Sequence, residues 1–311
     1  MTLRRCSSVA DLSVKICGVE FKNPIIAASG TFGFGREFSE LYPLSNLGGV
    51  SSKGITLEPR DGNPTPRIAE CESGILNAVG LQNPGVDHFI EYDLDWLKAQ
   101  DTVVIANIAG NTAEDYCAMA DKLSASSVDM IELNISCPNV KCGGVQFGTQ
   151  PDSVASITSE VKKHCKKPLI VKLSPNVKDI AEIARAAESA GADALSMINT
   201  LTGMRIDINT ARPIIHNNTG GMSGPAIFPV AVRMIWQASN AVKIPIIGMG
   251  GISKWQDAVE MLMAGASALQ VGTALFNDPY APIKINNGLN DFMDENGYNS
   301  INELTGIVKP Y

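Results

Sequence analysis

One stretch of this 311-residue chain brings residue types that can do chemistry into close spacing: Glu132-Leu-Asn-Ile-Ser-Cys-Pro-Asn-Val-Lys-Cys-Gly-Gly. Cys137 follows an apolar, strand-like run and precedes a proline, so the sequence places it at the end of a strand with its side chain projecting. Asn134 and Asn139 flank it in a polar, glycine-rich setting. A thiolate whose pKa is lowered by such neighbours can act as a general base. Cys142, five residues on, reads as incidental. The histidines His88, His164 and His216 fall in or beside helices or in a long loop, which gives a Ser–His or Cys–His hydrolase little support.

Ser29, Lys53, Asn107, Asn134, Lys172 and Asn199 each end an otherwise apolar run. Any one of them could be a loop cap or a snorkelling side chain; six at equivalent places argue for convergence on one rim. Gly248-Met-Gly-Gly-Ile, Val271-Gly-Thr-Ala and Thr219-Gly-Gly-Met-Ser-Gly-Pro-Ala are rich in glycine. Backbone N–H groups and helix N-termini in such loops hold phosphate, which points to a nucleotide, a phosphosugar or FMN. Val140 to Gly148 is a candidate lid, its glycines able to hinge over Cys137.

These residues need elements to hold them. Short, non-alternating runs begin at Asn23, Gly49, Thr102, Met130, Pro168, Asp193, Ile244 and Ala268, a pattern that suits strands buried on both faces of a parallel sheet. Helical stretches run over 112–125, 151–165, 178–190, 227–241 and 254–264. Eight strands in βα alternation predict an α/β fold, a (β/α)8 TIM barrel, in which the carboxyl ends of the strands build the site. An open doubly wound sheet fits less well, because no GxGxxG follows the first strand. Leu12 to Phe21 alternates around Gly18 and predicts an N-terminal β-hairpin outside the barrel. No linker divides residues 1–311, so one domain with extended βα loops is expected.

Composition narrows the function classes. Apolar residues make up 45% and charged residues 18%, which excludes global disorder. The net charge of −7, without a basic block, argues against nucleic acid as a partner. Seven cysteines without a CxxC pair favour a reducing, cytoplasmic location and offer neither a zinc nor an iron–sulfur site, so no metal is expected. No run reaches the roughly 18 apolar residues a membrane helix needs. Residues 1–8 read as a polar lead-in.

Taken together, the motifs of the chain resemble those of the class 1B dihydroorotate dehydrogenases over nearly its whole length. The resemblance rests on Ala27-Ala-Ser-Gly-Thr-Phe-Gly-Phe-Gly, Ser52-Lys-Gly-Ile-Thr and Gly74-Ile-Leu-Asn-Ala-Val-Gly-Leu-Gln-Asn-Pro-Gly, continued by Asn134-Ile-Ser-Cys-Pro-Asn, Gly203-Met-Arg-Ile-Asp and Gly220-Gly-Met-Ser-Gly-Pro-Ala. The lead-in before Asp11 is longer than the family pattern, and Cys142 stands at a variable position. The resemblance implies one FMN per chain and oxidation of dihydroorotate to orotate in pyrimidine biosynthesis. Cys137 would take the C5 proton while the C6 hydride passes to flavin N5. FMN contacts would carry over to Ser29, Lys53, Gly54, Asn107, Asn134, Lys172, Ile198, Gly224, Gly250, Gly251, Gly272 and Thr273. Substrate contacts would carry over to Lys53, Asn77, Ala78, Val79, Gly80, Leu81, Asn134, Asn199 and Thr200. It also implies a heterotetramer on a homodimer core, with a partner subunit that carries FAD and a [2Fe-2S] cluster and passes electrons to NAD.

Three other readings stay open at this point. A fumarate-using class 1A homodimer shares the barrel and base, but Gly203-Met-Arg-Ile-Asp fits class 1B better. A dihydrouridine synthase would want a basic RNA-binding face and a further helical domain. A silent FMN-binding scaffold would be yellow yet unreactive.

Overall fold

All eight apolar runs form parallel strands in the structure, a computed structural model that describes residues 10–136 and 145–311. The lead-in and Cys137 to Gly144 lie outside the described residues. In chain order the barrel strands are Ile25–Ala27, Gly49–Ser51, Val103–Ile108, Met130–Asn134, Leu169–Lys172, Ala194–Met197, Ile246–Met249 and Ala268–Val271. Each pairs with its neighbours in sequence, and the eighth returns to the first, with Leu269 opposite Ile25. Almost every strand residue is buried, because the inner face packs on the opposite wall and the outer face on helices.

Helices Ala113–Ser124, Pro151–His164, Ile180–Ser189, Phe228–Ser239, Trp255–Met263 and Ala281–Asn296 follow strands three to eight. The sequence reading anticipated the first five and passed over the sixth. Local chemistry starts them. Thr112 Oγ1 accepts from the Asp115 amide at 3.2 Å while Asp115 Oδ2 accepts from the Thr112 amide at 3.2 Å, a reciprocal cap. Asp179 Oδ1 accepts from the Ala181 amide at 2.8 Å in the same role. No described helix is long and apolar enough to cross a membrane.

The predicted hairpin is Val14–Ile16 paired with Val19–Phe21, turning at Cys17 and Gly18. Cys17 Sγ donates to the Asp193 carbonyl at 3.1 Å, just before the sixth strand, so the hairpin sits at the amino-terminal end of the barrel. The opposite end is elaborated by a sheet that the sequence reading did not anticipate. Ile68–Cys71 and Gly74–Asn77, from the excursion after strand two, join Leu201–Gly203 and Gly220–Ser223, from the excursion after strand six. These four strands are antiparallel, with Asn77 opposite Gly221. A further short pair joins Ile206–Asp207 to Arg212–Pro213. Both long excursions leave carboxyl ends of strands, so this sheet stands over the rim where the polar residues gather.

Gly48 ties the first three strands together. Its amide donates to the Ile25 carbonyl at 2.9 Å, and its carbonyl accepts from the Val103 amide at 3.3 Å. A Cβ there would lie 1.9 Å from the Asn23 carbonyl oxygen, a backbone atom that cannot yield alone. Gly48→Ala is therefore expected to destabilise the fold by about 3 kcal/mol through overpacking. Urea unfolding followed by circular dichroism checks this, and an unchanged midpoint would contradict the packing argument.

Candidate active site

A cavity of about 440 Å³ opens at the carboxyl ends of the strands, within the usual range for a small-molecule or cofactor site. Each of its walls can be traced to a local cause. Ser29 and Lys53 follow strands one and two. Asn134 and Lys172 are the last residues of strands four and five, and Ile198, Asn199 and Thr200 follow strand six. Gly250 and Gly251 follow strand seven, while Gly272 and Thr273 follow strand eight. The antiparallel sheet and the loop after it add Asn77, Val79, Gly80, Leu81 and Gly224.

These residues, with Gly54, all line the cavity. Two others named from sequence do not. Ala78 is fully buried beside Asn77, as the strand alternation requires. Asn107 is also fully buried; its side chain faces the barrel interior and reaches the cavity only through its neighbours. Cys137 lies outside the described residues, as does most of the lid segment at 140–148. Arg67, Gln82, Gln270 and Phe276 line the cavity too and were missed. Gln270 alone had left a usable signal, a polar residue inside an apolar strand.

Glycine shapes the wall where backbones meet. At Gly224 φ is +107°, and a Cβ would come within 2.7 Å of Gly74 Cα. At Gly251 φ is +82°, and a Cβ would come within 2.9 Å of the Gly224 carbonyl oxygen. The three segments pack so closely that a side chain at either position would have to push the cavity wall apart.

Polar side chains form a continuous chain from the cavity down into the barrel. Asn199 Nδ2 donates to Ser136 Oγ at 2.8 Å, and Ser136 Oγ donates to Asn134 Oδ1 at 3.1 Å. Asn134 Nδ2 donates to Asn107 Oδ1 at 3.3 Å, and Asn107 Nδ2 donates to the Glu132 carboxylate. Tyr116, from the helix outside, anchors the strand by donating to the Asn134 carbonyl at 2.9 Å. Glu132 is wholly buried, yet it receives four hydrogen-bond donors and the charge of Lys172. Its Oε1 accepts from Ser196 Oγ at 2.7 Å and Gln270 Nε2 at 2.8 Å. Its Oε2 accepts from Ser51 Oγ at 3.0 Å and from Asn107, and stands 3.5 Å from Lys172 Nζ. The sequence reading quoted Glu132 within its motif and gave it no role.

Burial alone would push the Glu132 carboxyl up. The Lys172 charge and the donors from Ser196, Asn107 and Gln270 outweigh that, and the net effect holds it below the ordinary glutamate value of 4.5. Glu132 is therefore an anion at neutral pH. The bond from Gln270 Nε2 turns the amide oxygen the other way, and Gln270 Oε1 is buried with no hydrogen-bond partner among the described residues. The floor thus holds a cation, Lys172, and an unused acceptor, Gln270 Oε1.

Fold and site together define a (β/α)8 barrel enzyme with a cavity at the carboxyl-terminal rim, over a charged polar floor and against glycine backbone. The chain belongs to the dihydroorotate dehydrogenase family, whose family model matches residues 11–293. It is 56% identical over 297 residues to the protein of Lachnoclostridium phytofermentans named dihydroorotate dehydrogenase B (NAD(+)), catalytic subunit, a match that covers 96% of this chain and 99% of that one. Proteins of the same name from Alkaliphilus oremlandii and Petrotoga mobilis are 55% and 52% identical, covering 95% and 96% of this chain and 98% and 99% of theirs.

Because the Glu132 carboxyl is held low in the folded state, its ionisation favours folding above the ordinary value of 4.5. That contribution fades as pH falls through the lowered value. Urea unfolding of the wild type and Glu132→Gln, from about pH 7 down to about pH 3, should show a stability gap that is widest at neutral pH and narrows in acid. A gap that stays constant or widens in acid would show that Glu132 is not the stabilising anion described here.

Proposed function

We propose that this chain binds FMN in the rim cavity and oxidises dihydroorotate to orotate in pyrimidine biosynthesis. The observation that carries the reading is the convergence of nearly all the family-motif residues on one cavity, from seven different strands and two excursions. The relatives' shared name favours NAD over fumarate as the final acceptor. "Catalytic subunit" in that name supports a separate electron-transfer subunit, on which we place FAD and the [2Fe-2S] cluster, in a heterotetramer built on a dimer of this chain.

The residues present fit a flavin mononucleotide. Gly224, Gly250, Gly251, Gly272 and Thr273 line the cavity, and backbone amides of such glycine-rich turns can hold a phosphate. Lys172 offers a cation and Gln270 Oε1 a buried acceptor for an N–H group. When bound, FMN supplies the two-electron acceptor for the oxidation. Lys53, Asn77, Asn134 and Asn199 orient a planar, anionic pyrimidine, with one positive charge and three amides that can both donate and accept. Cys137 Sγ takes the C5 proton as base. Its neighbour in the chain, Ser136, is fully buried and bonded to both Asn134 and Asn199.

Anaerobic mixing of the purified chain with dihydroorotate, followed by flavin absorbance, tests the function. Bleaching is expected; a protein that stays yellow with its partner subunit also supplied would overturn the substrate assignment. Cys137→Ala should keep its flavin and slow bleaching by about 10²–10⁴-fold, the range for loss of a general base. Equal rates in the variant and the wild type would remove Cys137 from that role. Lys172→Ala should lose flavin on gel filtration or bleach more slowly, and normal occupancy with normal kinetics would refute its part in the site.

A further inference from the structure

The charge beneath the cavity is more elaborate than ligand contact requires. Barrel interiors are ordinarily filled with branched apolar side chains. Here Ser51, Asn107, Lys172, Ser196 and Gln270, one each from strands two, three, five, six and eight, converge on the Glu132 carboxylate of strand four. A buried ion pair is a weak source of stability, because desolvation consumes much of the attraction. The two ends of the network also differ in what they reach. Lys172 and Gln270 line the cavity, whereas Glu132 does not.

We propose that Glu132 is a positioning residue for the redox step: a fixed counter-charge that pins Lys172 at the cavity floor and keeps the flavin's reduction potential below the value that Lys172 alone would set. The proposal rests on the flavin reading above. Reduction adds negative charge to a flavin, so an uncompensated buried cation beside it favours the reduced form. With a carboxylate oxygen 3.5 Å from its Nζ, Lys172 presents the cavity with one end of an ion pair instead of a bare charge. In a water-poor interior that difference is weakly screened. The donors on both carboxylate oxygens hold Glu132 still. Through Asn107 the same carboxylate orients Asn134, and by its bond to Nε2 it turns Gln270 Oε1 away from itself.

The test is the midpoint potential of the flavin-loaded protein, read spectroscopically against a reference dye at one fixed pH. Three proteins are compared: wild type, Glu132→Gln and Glu132→Asp. Glutamine keeps the shape and removes the charge, and the Ser51 and Ser196 hydroxyls can turn to suit it. Glu132→Gln should shift the oxidised-to-reduced ratio at fixed potential at least tenfold toward reduced flavin, about 30 mV upward for a two-electron couple. Glu132→Asp, which keeps the charge but withdraws it from Lys172, should shift it less and in the same direction. A purely structural role would lower the melting temperature and leave the potential unmoved. A folded, flavin-bearing Glu132→Gln with the wild-type potential or a lower one overturns the proposal. If that variant does not fold, Glu132→Asp with the wild-type potential overturns it. A wild-type chain that takes up no FMN is a separate result, and it overturns the flavin reading and this proposal with it.

Discussion

An ionised carboxylate buried at the centre of a barrel constrains everything around it. Glu132 has no water to solvate it, so the protein must supply the donors, and each has to come from a different wall. Serine, asparagine, lysine and glutamine side chains differ in length, and the strands must be staggered so that all of them end at one point. Parallel register provides this: Asn107 is opposite Glu132, and Ser196 is opposite Lys172. The network therefore depends on the barrel being closed in the observed order, and a slip of one residue on any contributing strand would turn its donor outward.

Above this layer the rim is finished by chain that belongs to no βα unit. The four-stranded antiparallel sheet joins excursions about 140 residues apart in sequence, and Asn77 Nδ2 donates to the Gly221 carbonyl across the join at 3.3 Å. A Cβ at Gly221 would lie 2.0 Å from Thr200 Oγ1, so the sheet packs directly on the segment that carries Asn199 and Thr200. The excursions after strands two and six thus hold each other in place. In this way the cavity gains walls that the barrel strands alone are too short to provide.

The barrel was legible in sequence because parallel strands buried on both faces leave an unambiguous trace: short β-branched runs without alternation, spaced by helical stretches. The rim residues were legible because a polar group ending such a run has few structural reasons to recur six times. The antiparallel sheet was not. Its strands have three or four residues, two of them begin with glycine, and the pairing that joins the two excursions is long-range, so no local period marks the sheet. Glu132 was hidden for a different reason. One acidic residue within Met130-Ile-Glu-Leu-Asn reads equally as an outward-facing charge, and only the fold reveals that Ser51, Ser196 and Gln270 point at it. Asn107 was named from sequence as a site residue but lies in the layer beneath, a depth that spacing along the chain does not encode.

Strand four shows how floor and site are made from one element. Glu132, Asn134 and Ser136 are spaced by two, so successive inward positions carry the buried anion, the cavity-lining amide and the hydroxyl bonded to Asn199. Ile131, Leu133 and Ile135 alternate with them and are fully buried, which commits the other side of the run to the apolar core. The two sets fix each other. The apolar set cannot face the barrel centre without stranding Ser51, Ser196 and Gln270, and the polar set cannot face the helices without losing every partner. Cys137 comes next in the chain, so a register that satisfies Glu132 is also the register from which the proposed base departs. The electrostatic demand of one buried carboxylate and the placement of Asn134 and Ser136 are thus a single constraint on the same strand.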